Sequence, residues 1–336
     1  MLDDIVIRKA EMNEIDKVMA FLKENWGEHH VMANSHELMC YEHAWKDEFT
    51  FVLAEDSATN KIYGVLGYIP YSDEDDGDIG GGIWKVIQNP YFMLGTELLK
   101  FVQNHTKCRM FADCGANPKT KGHRKLAGHI NATLNQYYKL NPLVKKFKVA
   151  VIHENKLPQK KNAYAYKLVK LENINQFMEK FDVSKFKSIM PYKDNKYIEH
   201  RYYRHIKYQY KIWGIENCGL IGAVVIGRDF SVNGTKVFRI IDFIGNESYL
   251  AGTFDAWEQF LIHGNYEYID FYEYGLNSAN LESAGFILRT DEDVNIIPNY
   301  FEPFEQRNID IHISTNVSQG FRMFKGDGDQ DRPNSL

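Results

Sequence analysis

Apolar positions in the first half of the chain switch between the twofold spacing of strands and the wider spacing of helices. In chain order they predict a strand at 5–8, a helix at 15–22, strands at 49–54 and 62–71, a strand at 83–87, a helix at 94–102 and a strand at 109–113. The polar turn at 57–60 makes the second and third strands an antiparallel hairpin. The acidic run 73–78 followed by Gly80, Gly81 and Gly82 predicts an exposed flexible loop.

The second half repeats this order of elements. It predicts a hairpin of 210–215 and 220–227, a strand at 236–244, a helix at 249–262, a strand at 268–273, a helix at 277–284 that Gly285 can cap, and extended runs at 295–301 and 309–314 that finish the second sheet. Residues 5–22 and 166–181 both pass from a strand through a polar turn into a helix start. The chain is therefore expected to contain two copies of one α/β unit.

The length of 336 residues agrees with this repeat, because a single core rarely grows that large. A polar connector around 158–162 separates the copies. The prediction is an α/β protein with an N-terminal domain at 1–152, a C-terminal domain at 163–325 and a polar tail at 326–336. Each domain is expected to hold a mixed, mainly antiparallel sheet flanked by helices.

The net charge of -5 gives no general attraction to nucleic acid or to an anionic membrane, so a nucleic-acid partner is not expected. Two local basic runs, at 119–125 and 156–161, are either sites for an anionic ligand or solvated loops. The oligomeric state is left open.

The cysteines Cys40, Cys108, Cys114 and Cys218 lie far apart, without a CxxC pair or metal-ligand spacing. This pattern predicts reduced thiols, no metal site and a cytoplasmic protein. The acidic run at 73–78 lacks the glycine and glutamate positions of a calcium loop. The sequence also shows no signal segment and no apolar run of bilayer length, so no membrane span is expected.

The order of elements is similar to that of the GNAT acyltransferase superfamily. The segment IRKAEMNEIDKVMAFL at 7–22 looks like the first strand and helix of that family, and FADCGANPKTKGHRKLAG at 111–128 resembles its fifth strand and following helix. The ending FKGDGDQDRPN at 324–334 looks like that of two-domain proteins of bacterial surface-polysaccharide loci. The resemblance implies acyl-CoA as the donor, with acetyl-CoA as the first choice.

The family's pyrophosphate loop places glycines before a helix, so that backbone N–H groups approach phosphate. In the first half the matching segment is 90–95, and only Gly95 fits the pattern. In the second half the resemblance implies a donor site at Ile244, Gly245, Asn246, Ser248, Gly252, Thr253, Asn277 and Asn280. An ordinary strand-to-helix loop is the alternative for residues 245–253, and helix capping is the alternative role for Asn277 and Asn280. We therefore expect catalysis in the second half and an architectural first half.

Acyl transfer to an amine needs a base, and the resemblance places it where the fourth and fifth strands splay. Asp242 and Glu273 are the carboxylates predicted there, and Tyr274 is predicted to protonate the leaving thiolate. The alternatives are that Asp242 pairs with Arg239 or a backbone N–H, and that the tyrosine is a packing residue.

An acceptor site is predicted in the aromatic and basic segment YIEHRYYRHIKYQY at 197–210, with His200, Arg201 and Tyr203, and in the tail, with Asp327 and Asp329. The alternatives are that the segment covers the core with amphipathic side chains and that the tail is a fixed terminus. The predicted function is transfer of an acyl group to an amino sugar, nucleotide-linked, for a bacterial surface glycan. The alternatives are a FemX-like transferase that uses aminoacyl-tRNA and a non-catalytic sugar-binding or scaffold protein.

Overall fold

A computed structural model describes residues 5–89, 91, 93–301 and 303–333. Pro90 and Phe92 of the expected first donor loop, and residues 334–336 of the predicted tail, lie outside the described residues. The elements of the first half are β1 (Ile5–Lys9), α1 (Ile15–Asn25), α2 (Val31–Asn34), α3 (His36–His43), β2 (Ala44–Trp45), β3 (Glu48–Phe49), β4 (Phe51–Asp56), β5 (Ile62–Pro70), β6 (Ile79–Val86), α4 (Leu94–Thr106), β7 (Phe111–Cys114), α5 (Lys121–Leu126), β8 (Ile130–Thr133) and β9 (Asn135–Leu140).

The elements of the second half come next in the chain. They are β10 (Lys167–Lys170), α6 (Ile174–Lys180), α7 (Asn195–Ile198), β11 (Lys211–Asn217), β12 (Leu220–Val232), β13 (Thr235–Gly245), α8 (Phe254–Gly264), β14 (Tyr266–Tyr274), α9 (Ser278–Ser283), β15 (Ile287–Leu288), β16 (Tyr300–Phe301), β17 (Phe304–Glu305), β18 (His312–Thr315) and β19 (Met323–Phe324). Short 3-10 turns lie at Met12–Glu14, Pro118–Thr120, Val183–Phe186, Glu247–Gly252, Lys325–Asp327 and Asp329–Asp331, and Glu199–Tyr203 is a π-helical turn.

Two mixed sheets form the body of the protein, which confirms the predicted α/β fold class. The first sheet has the order β1-β4-β5-β6-β7-β18-β8, and the second has β10-β11-β12-β13-β14-β9-β15, with β19 added on β14. Among the described helices none is long and apolar enough to cross a membrane.

Each sheet contains a strand from the other half of the chain. β18 lies between β7 and β8, where Ile313 pairs with Cys114, and β9 lies between β14 and β15, where Tyr138 pairs with Asp270. A chain break between 152 and 163 would therefore separate each sheet from an inner strand, the one second from its edge. The domain limits 1–152 and 163–325 stay a prediction about sequence units.

Two details of the sequence prediction were wrong. The runs 295–301 and 309–314 do not finish the second sheet, because β16 pairs with β17 in a separate two-stranded sheet and β18 pairs with β7 and β8 of the first sheet. Gly80, Gly81 and Gly82 do not form a flexible loop, since they lie inside β6. At Gly81 a Cβ atom would overlap the Asp113 carboxylate, so this glycine serves close packing within the sheet.

Amphipathic helices cover both faces of the first sheet. α1 buries Val18 and Leu22 against Phe51, while α4 buries Leu98 and Leu99 on the opposite face. Each such side chain contributes roughly 1.5–3 kcal/mol when removed fully from water. This burial fixes the position of β6, on which the candidate site depends.

Both sheets contain a parallel pair of strands that diverges. β6 pairs with β7 only at Ile79–Phe111 and Gly80–Ala112. In the second sheet β13 pairs with β14 as far as Ile240–Phe271. We call the space beyond these points the first cleft, between β6 and β7, and the second cleft, between β13 and β14.

Candidate active site

The first cleft opens into a cavity of about 370 Å³ between the two halves of the chain. Residues 82–84 of β6 and Arg124 of α5 line it from the first half. Arg228 and Phe230 of β12 line it from the second half, together with residues 329–333 near the C-terminus. The two halves therefore share this cavity, although the cleft itself belongs to the first sheet.

A buried polar group forms the floor of the first cleft. Asp113, at the diverging end of β7, makes an ion pair with Arg124, and Arg124 Nε donates to Thr120 Oγ1 at 2.9 Å. The Arg124 guanidinium also lies 4.9 Å from the ring centre of Trp84. Burial lowers the pKa of Arg124 to about 10, which still leaves it charged at neutral pH. Arg124 is thus a fixed cation at the end of the cleft.

Asp329 provides a carboxylate at the same cavity. Among the described residues no hydrogen bond or ion pair engages its side chain, and only its backbone carbonyl accepts, from Arg332 N at 3.2 Å. The side chain is exposed in the open cavity, and the protein around that cavity limits its hydration. This desolvation raises the pKa of Asp329 to about 7, although the Arg124 guanidinium acts in the opposite direction. A carboxylate with this pKa can accept a proton near neutral pH.

The position of Asp329 is fixed by anchors on either side of it in the chain. Before it, the Asp327 backbone carbonyl accepts from the Tyr71 hydroxyl at 2.5 Å. After it, Arg228 Nε donates to Asp331 Oδ1 at 2.9 Å, and Arg332 makes an ion pair with Glu42 of α3. These contacts hold the C-terminal segment, residues 321–333, across both halves.

The same C-terminal segment fills the second cleft. Phe324 and Met323 of β19 pair with Glu273 and Tyr274, and Gly326 packs so tightly on Ile241 that a Cβ atom would overlap it. Beside the diverging end of β13 a space of only about 20 Å³ remains, which is room for about one water. The first cleft is open and the second is occupied by the chain itself.

The predicted base Asp242 lies in a fully buried cluster in the second half. Its carboxylate accepts from Lys193 Nζ at 2.6 and 2.7 Å, from the Tyr202 hydroxyl at 2.6 Å and from Phe243 N at 2.8 Å. Arg239, the alternative partner in the sequence, pairs instead with Asp270 at 2.9 Å. Asp242 does not line the cavity.

Glu273 and Tyr274, the other predicted catalytic residues, also lie away from the cavity. The Glu273 carboxylate accepts from Asn135 Nδ2 at 3.0 Å and from Leu276 N at 2.9 Å. Burial raises the pKa of Glu273. The Tyr274 ring stacks on Phe321 with centres 5.1 Å apart.

The predicted donor-binding residues of the second half serve local structure. Asn246 and Asn277 cap the turns that follow them, accepting from Ser248 N and Ala279 N at 3.0 Å. Gly252 packs under Tyr166, and the Thr253 hydroxyl donates to Leu250 O at 2.6 Å.

The remaining members of this set lie around the same turns. Ile244 and Gly245 end β13, where the positive φ of 119° at Gly245 allows close contact with Ala223. Asn280 lies inside α9. None of the predicted donor-binding residues lines the cavity of the first cleft.

Of the predicted acceptor residues, only Asp329 lines the cavity. The His200 ring stacks on Tyr41 at 4.2 Å, the Tyr203 hydroxyl donates to Leu171 O at 3.1 Å, and Asp327 pairs with Lys193 at 2.5 Å. Arg201 is buried and donates to Asp331 O at 2.8 Å. It lies behind the cavity wall.

The sequence contained one signal for the residues at the first cleft. The segment 111–128 includes both Asp113 and Arg124, and the basic run 119–125 was one of two candidates for an anionic ligand. Lys119, Lys121 and Lys125 of that run are exposed beside the cavity-lining Thr120 and Arg124.

No group of three or more His, Cys, Asp or Glu side chains that would hold a metal ion occurs within the described ranges. The two histidines at the cavity are not charged at neutral pH. Burial lowers the pKa of His43 to about 4 and also lowers that of His30. Charge at the site therefore comes from the arginines and aspartates.

No protein-family model matches the chain, and no curated protein matches its sequence. Solved structures do match. A GCN5-related N-acetyltransferase from Anabaena variabilis aligns with a TM-score of 0.55 and 10% identity, over 92% of this chain and 72% of that chain. A conserved protein of unknown function from Enterococcus faecalis, a probable N-acyltransferase, aligns with a TM-score of 0.54 and 8% identity, over the same shares of 92% and 72%.

A putative acetyltransferase from Pyrococcus horikoshii aligns over 100% of this chain and 95% of that chain, with 10% identity and a TM-score of 0.48. At these identities the likeness concerns the fold. The Anabaena variabilis and Enterococcus faecalis structures confirm the predicted acyltransferase-like fold class, whereas the resemblance to polysaccharide-locus proteins stays a prediction. The chain has the fold of the GCN5-related N-acetyltransferases.

Proposed function

We propose that the protein is an N-acyltransferase that uses the first cleft and takes its acyl group from acyl-CoA. The observation that carries this proposal is the Asp329 carboxylate, which faces an open cavity at the point where β6 and β7 diverge. The second cleft lacks the space for a donor, because residues 323–327 occupy it. This proposal moves the site from the second half to the first.

The surroundings of the first cleft suit a long anionic donor. Beyond Gly80, β6 diverges from β7, so its backbone edge can bind the amide groups of a pantetheine arm. The N-terminus of α4 lies next to this edge, since Gly95 approaches the ring of Trp84. Helix N-termini attract phosphate, and the exposed lysines of the run 119–125 add positive charge at the rim.

Asp329 acts as the general base in the proposed reaction. It accepts a proton from the acceptor amine as the amine nitrogen forms a bond to the thioester carbonyl carbon. The carbon–sulfur bond then breaks with its electron pair on sulfur, and the thiolate takes up one proton to leave as free CoA thiol. The products are an amide and a thiol, and Arg124 supplies a fixed positive charge near the reacting groups.

The proposed acceptor is an amino sugar, nucleotide-linked, and its use in a surface glycan is part of this proposal. Several rings line the cavity, including those of Trp26, Phe230 and Phe301, and such surfaces suit the apolar face of a sugar ring. An aminoacyl-tRNA donor is less well supported because of the net charge of -5. A purely sugar-binding role would leave the Asp329 carboxylate without a use.

Thiol release tests this proposal directly. We expect acetyl-CoA and UDP-glucosamine together to release free thiol, whereas UDP-N-acetylglucosamine, which has no amine, should release none. Saturating CoA at 100 times its Kd should also stabilise the fold by about 2.7 kcal/mol. Absence of thiol release with every amino sugar, together with no stabilisation by CoA, would contradict the proposal. Salt-sensitive binding of tRNA would instead favour an aminoacyl-tRNA donor.

A further inference from the structure

Charge is distributed unevenly around the cavity. At the wall formed by the first half, the positive charge of Arg124 is neutralised by Asp113. The Asp329 carboxylate therefore adds a negative charge that has no counter-ion there among the described residues. This end of the cavity is suited to the ammonium or amine group of an acceptor. The wall on the other side of the cavity carries an excess of positive charge.

At the second-half wall, three guanidinium groups form ion pairs with only two carboxylates within the described part of the chain, which leaves one positive charge in excess. Asp331 pairs with both Arg228, at 2.9 Å, and Arg201, at 3.5 Å, while Glu42 pairs with Arg332. All five side chains are at least nine-tenths buried. A buried positive charge without a counter-ion is costly, and an anionic ligand group would relieve that cost.

Neighbouring groups do not cancel this excess. His205 lies 3.4 Å from Glu42, but burial lowers the pKa of His205 to about 3, so it is neutral. The Tyr210 hydroxyl donates to Asp331 Oδ2 at 2.8 Å and carries no charge. Nε and Nη2 of Arg332 have no hydrogen-bond partner among the described residues.

Arg228 is the member of this cluster that is best built to bind a ligand. It lines the cavity, and its guanidinium is held between the rings of Tyr208 and Phe230, with centres 3.7 and 3.9 Å away. Its Nε is fixed by Asp331, so the planar group cannot turn. A guanidinium held in this way recognises carboxylate or phosphate through paired N–H groups.

We infer that the acceptor carries an anionic group, which Arg228 binds at the second-half wall while the amine lies at Asp329. This inference rests on the proposed function, and it narrows the acceptor to an amine that also bears a phosphate or a carboxylate. The phosphate of a nucleotide-linked or phosphorylated amino sugar fits that description. A neutral amino sugar would leave the excess positive charge unpaired.

Acceptor kinetics test this inference. With acetyl-CoA as donor we expect the KM for glucosamine 1-phosphate and for UDP-glucosamine to be about 10- to 100-fold lower than that for glucosamine. Glucosaminuronic acid, whose anionic group is a carboxylate instead of a phosphate, is tested as an acceptor in parallel. In Arg228→Lys the charge remains but the paired N–H groups are lost, so the preference for anionic acceptors should fall by about tenfold or more.

Arg289→Lys is the matched control, because the Arg289 side chain has the same 10% exposure as Arg228 and also pairs with an aspartate, Asp310. Arg289 does not line the cavity, so its variant should keep the preference. Equal KM values for neutral and anionic acceptors in the wild type, or an unchanged preference in Arg228→Lys, would overturn the inference.

Calorimetric binding of UDP-glucosamine separates this inference from the proposed function, since it needs no turnover. Binding that weakens about tenfold in Arg228→Lys but not in Arg289→Lys would support the anion site even if no acceptor released thiol. No binding to the wild type, or equal binding to both variants, would overturn the inference even if a neutral amine were acylated.

Discussion

Replacing Asp329 by Asn is expected to lower kcat by roughly 10²- to 10⁴-fold, the usual contribution of a positioned general base. The substitution keeps the size of the side chain but removes its ability to take a proton from the amine. Since the Asp329 side chain has no hydrogen bond or ion pair among the described residues, the loss should not disturb a structural contact. Steady-state thiol release at pH 8 measures the effect.

The pH dependence of the same reaction identifies the base. Burial raises the pKa of Asp329 to about 7, so the wild-type rate should rise as the pH passes through 7 and the carboxylate ionises. The Asp329→Asn variant should lose this rise in rate, the ascending limb of the pH profile. Asp255→Asn, an exposed aspartate of α8 in an ion pair with Lys160, is the control and should keep both the rate and the limb. A limb that persists in Asp329→Asn would exclude Asp329 as the base.

The raised pKa also has a consequence for stability. Between its ordinary pKa near 4 and its folded pKa near 7, Asp329 holds its proton only in the folded state, so stability falls as the pH rises through this window. Asp329→Asn cannot ionise, so its gain in unfolding free energy over the wild type should grow from pH 4 to pH 8. Chemical denaturation at these two pH values measures that difference.

Replacing Lys193 by Met is expected to lower the free energy of unfolding by about 3–5 kcal/mol. Lys193 Nζ lies 2.6 Å from Asp242 and 2.5 Å from Asp327, and all three side chains are buried. Without the ammonium, two carboxylates would remain buried next to each other without this counter-ion. Because Asp327 belongs to the segment that fills the second cleft, the loss should also loosen that segment. Urea denaturation at pH 7 gives the value.

Lys196→Met is the matched control for this prediction. Lys196 lies three residues further along the chain and pairs with Asp73 at 2.9 Å, but its side chain is 53% exposed, against 3% for Lys193. An exposed pair contributes about 0–1 kcal/mol, so this variant should remain close to the wild type. Equal stability of the two variants would show that the buried cluster does not hold the C-terminal segment in place.

Most strands and helices were predictable because the apolar residues that mark them lie within a few neighbouring positions of the chain. β9 was missed because Gln136 and Lys139 are buried in it and interrupt the apolar alternation. The sheet that β18 joins was predicted wrongly, since the alternation at 309–314 shows a strand but not its partner. The pairing of β9 and β18 with the sheet of the other half depends on contacts between residues far apart in the chain, which a local pattern does not reveal.

The location of the site was less predictable than the fold. Glycines at 245 and 252 resemble a phosphate loop in sequence, yet Gly245 packs against Ala223 and Gly252 against Tyr166. Asp242 looked like a catalytic carboxylate because it interrupts an apolar strand, and its partner Lys193 lies 49 residues earlier. Only the folded chain shows that residues 323–327 fill one cleft while Asp329 faces the other.

Amide hydrogen exchange in the presence of CoA tests most directly which cleft is the donor site. We expect slower exchange in β6 from residue 81 to 86 and at the start of α4, with no change in residues 241–253 of the second half. The proteins to compare are the wild type with and without saturating CoA. Protection confined to residues 241–253, or no protection anywhere in the chain, would contradict the assignment of the first cleft.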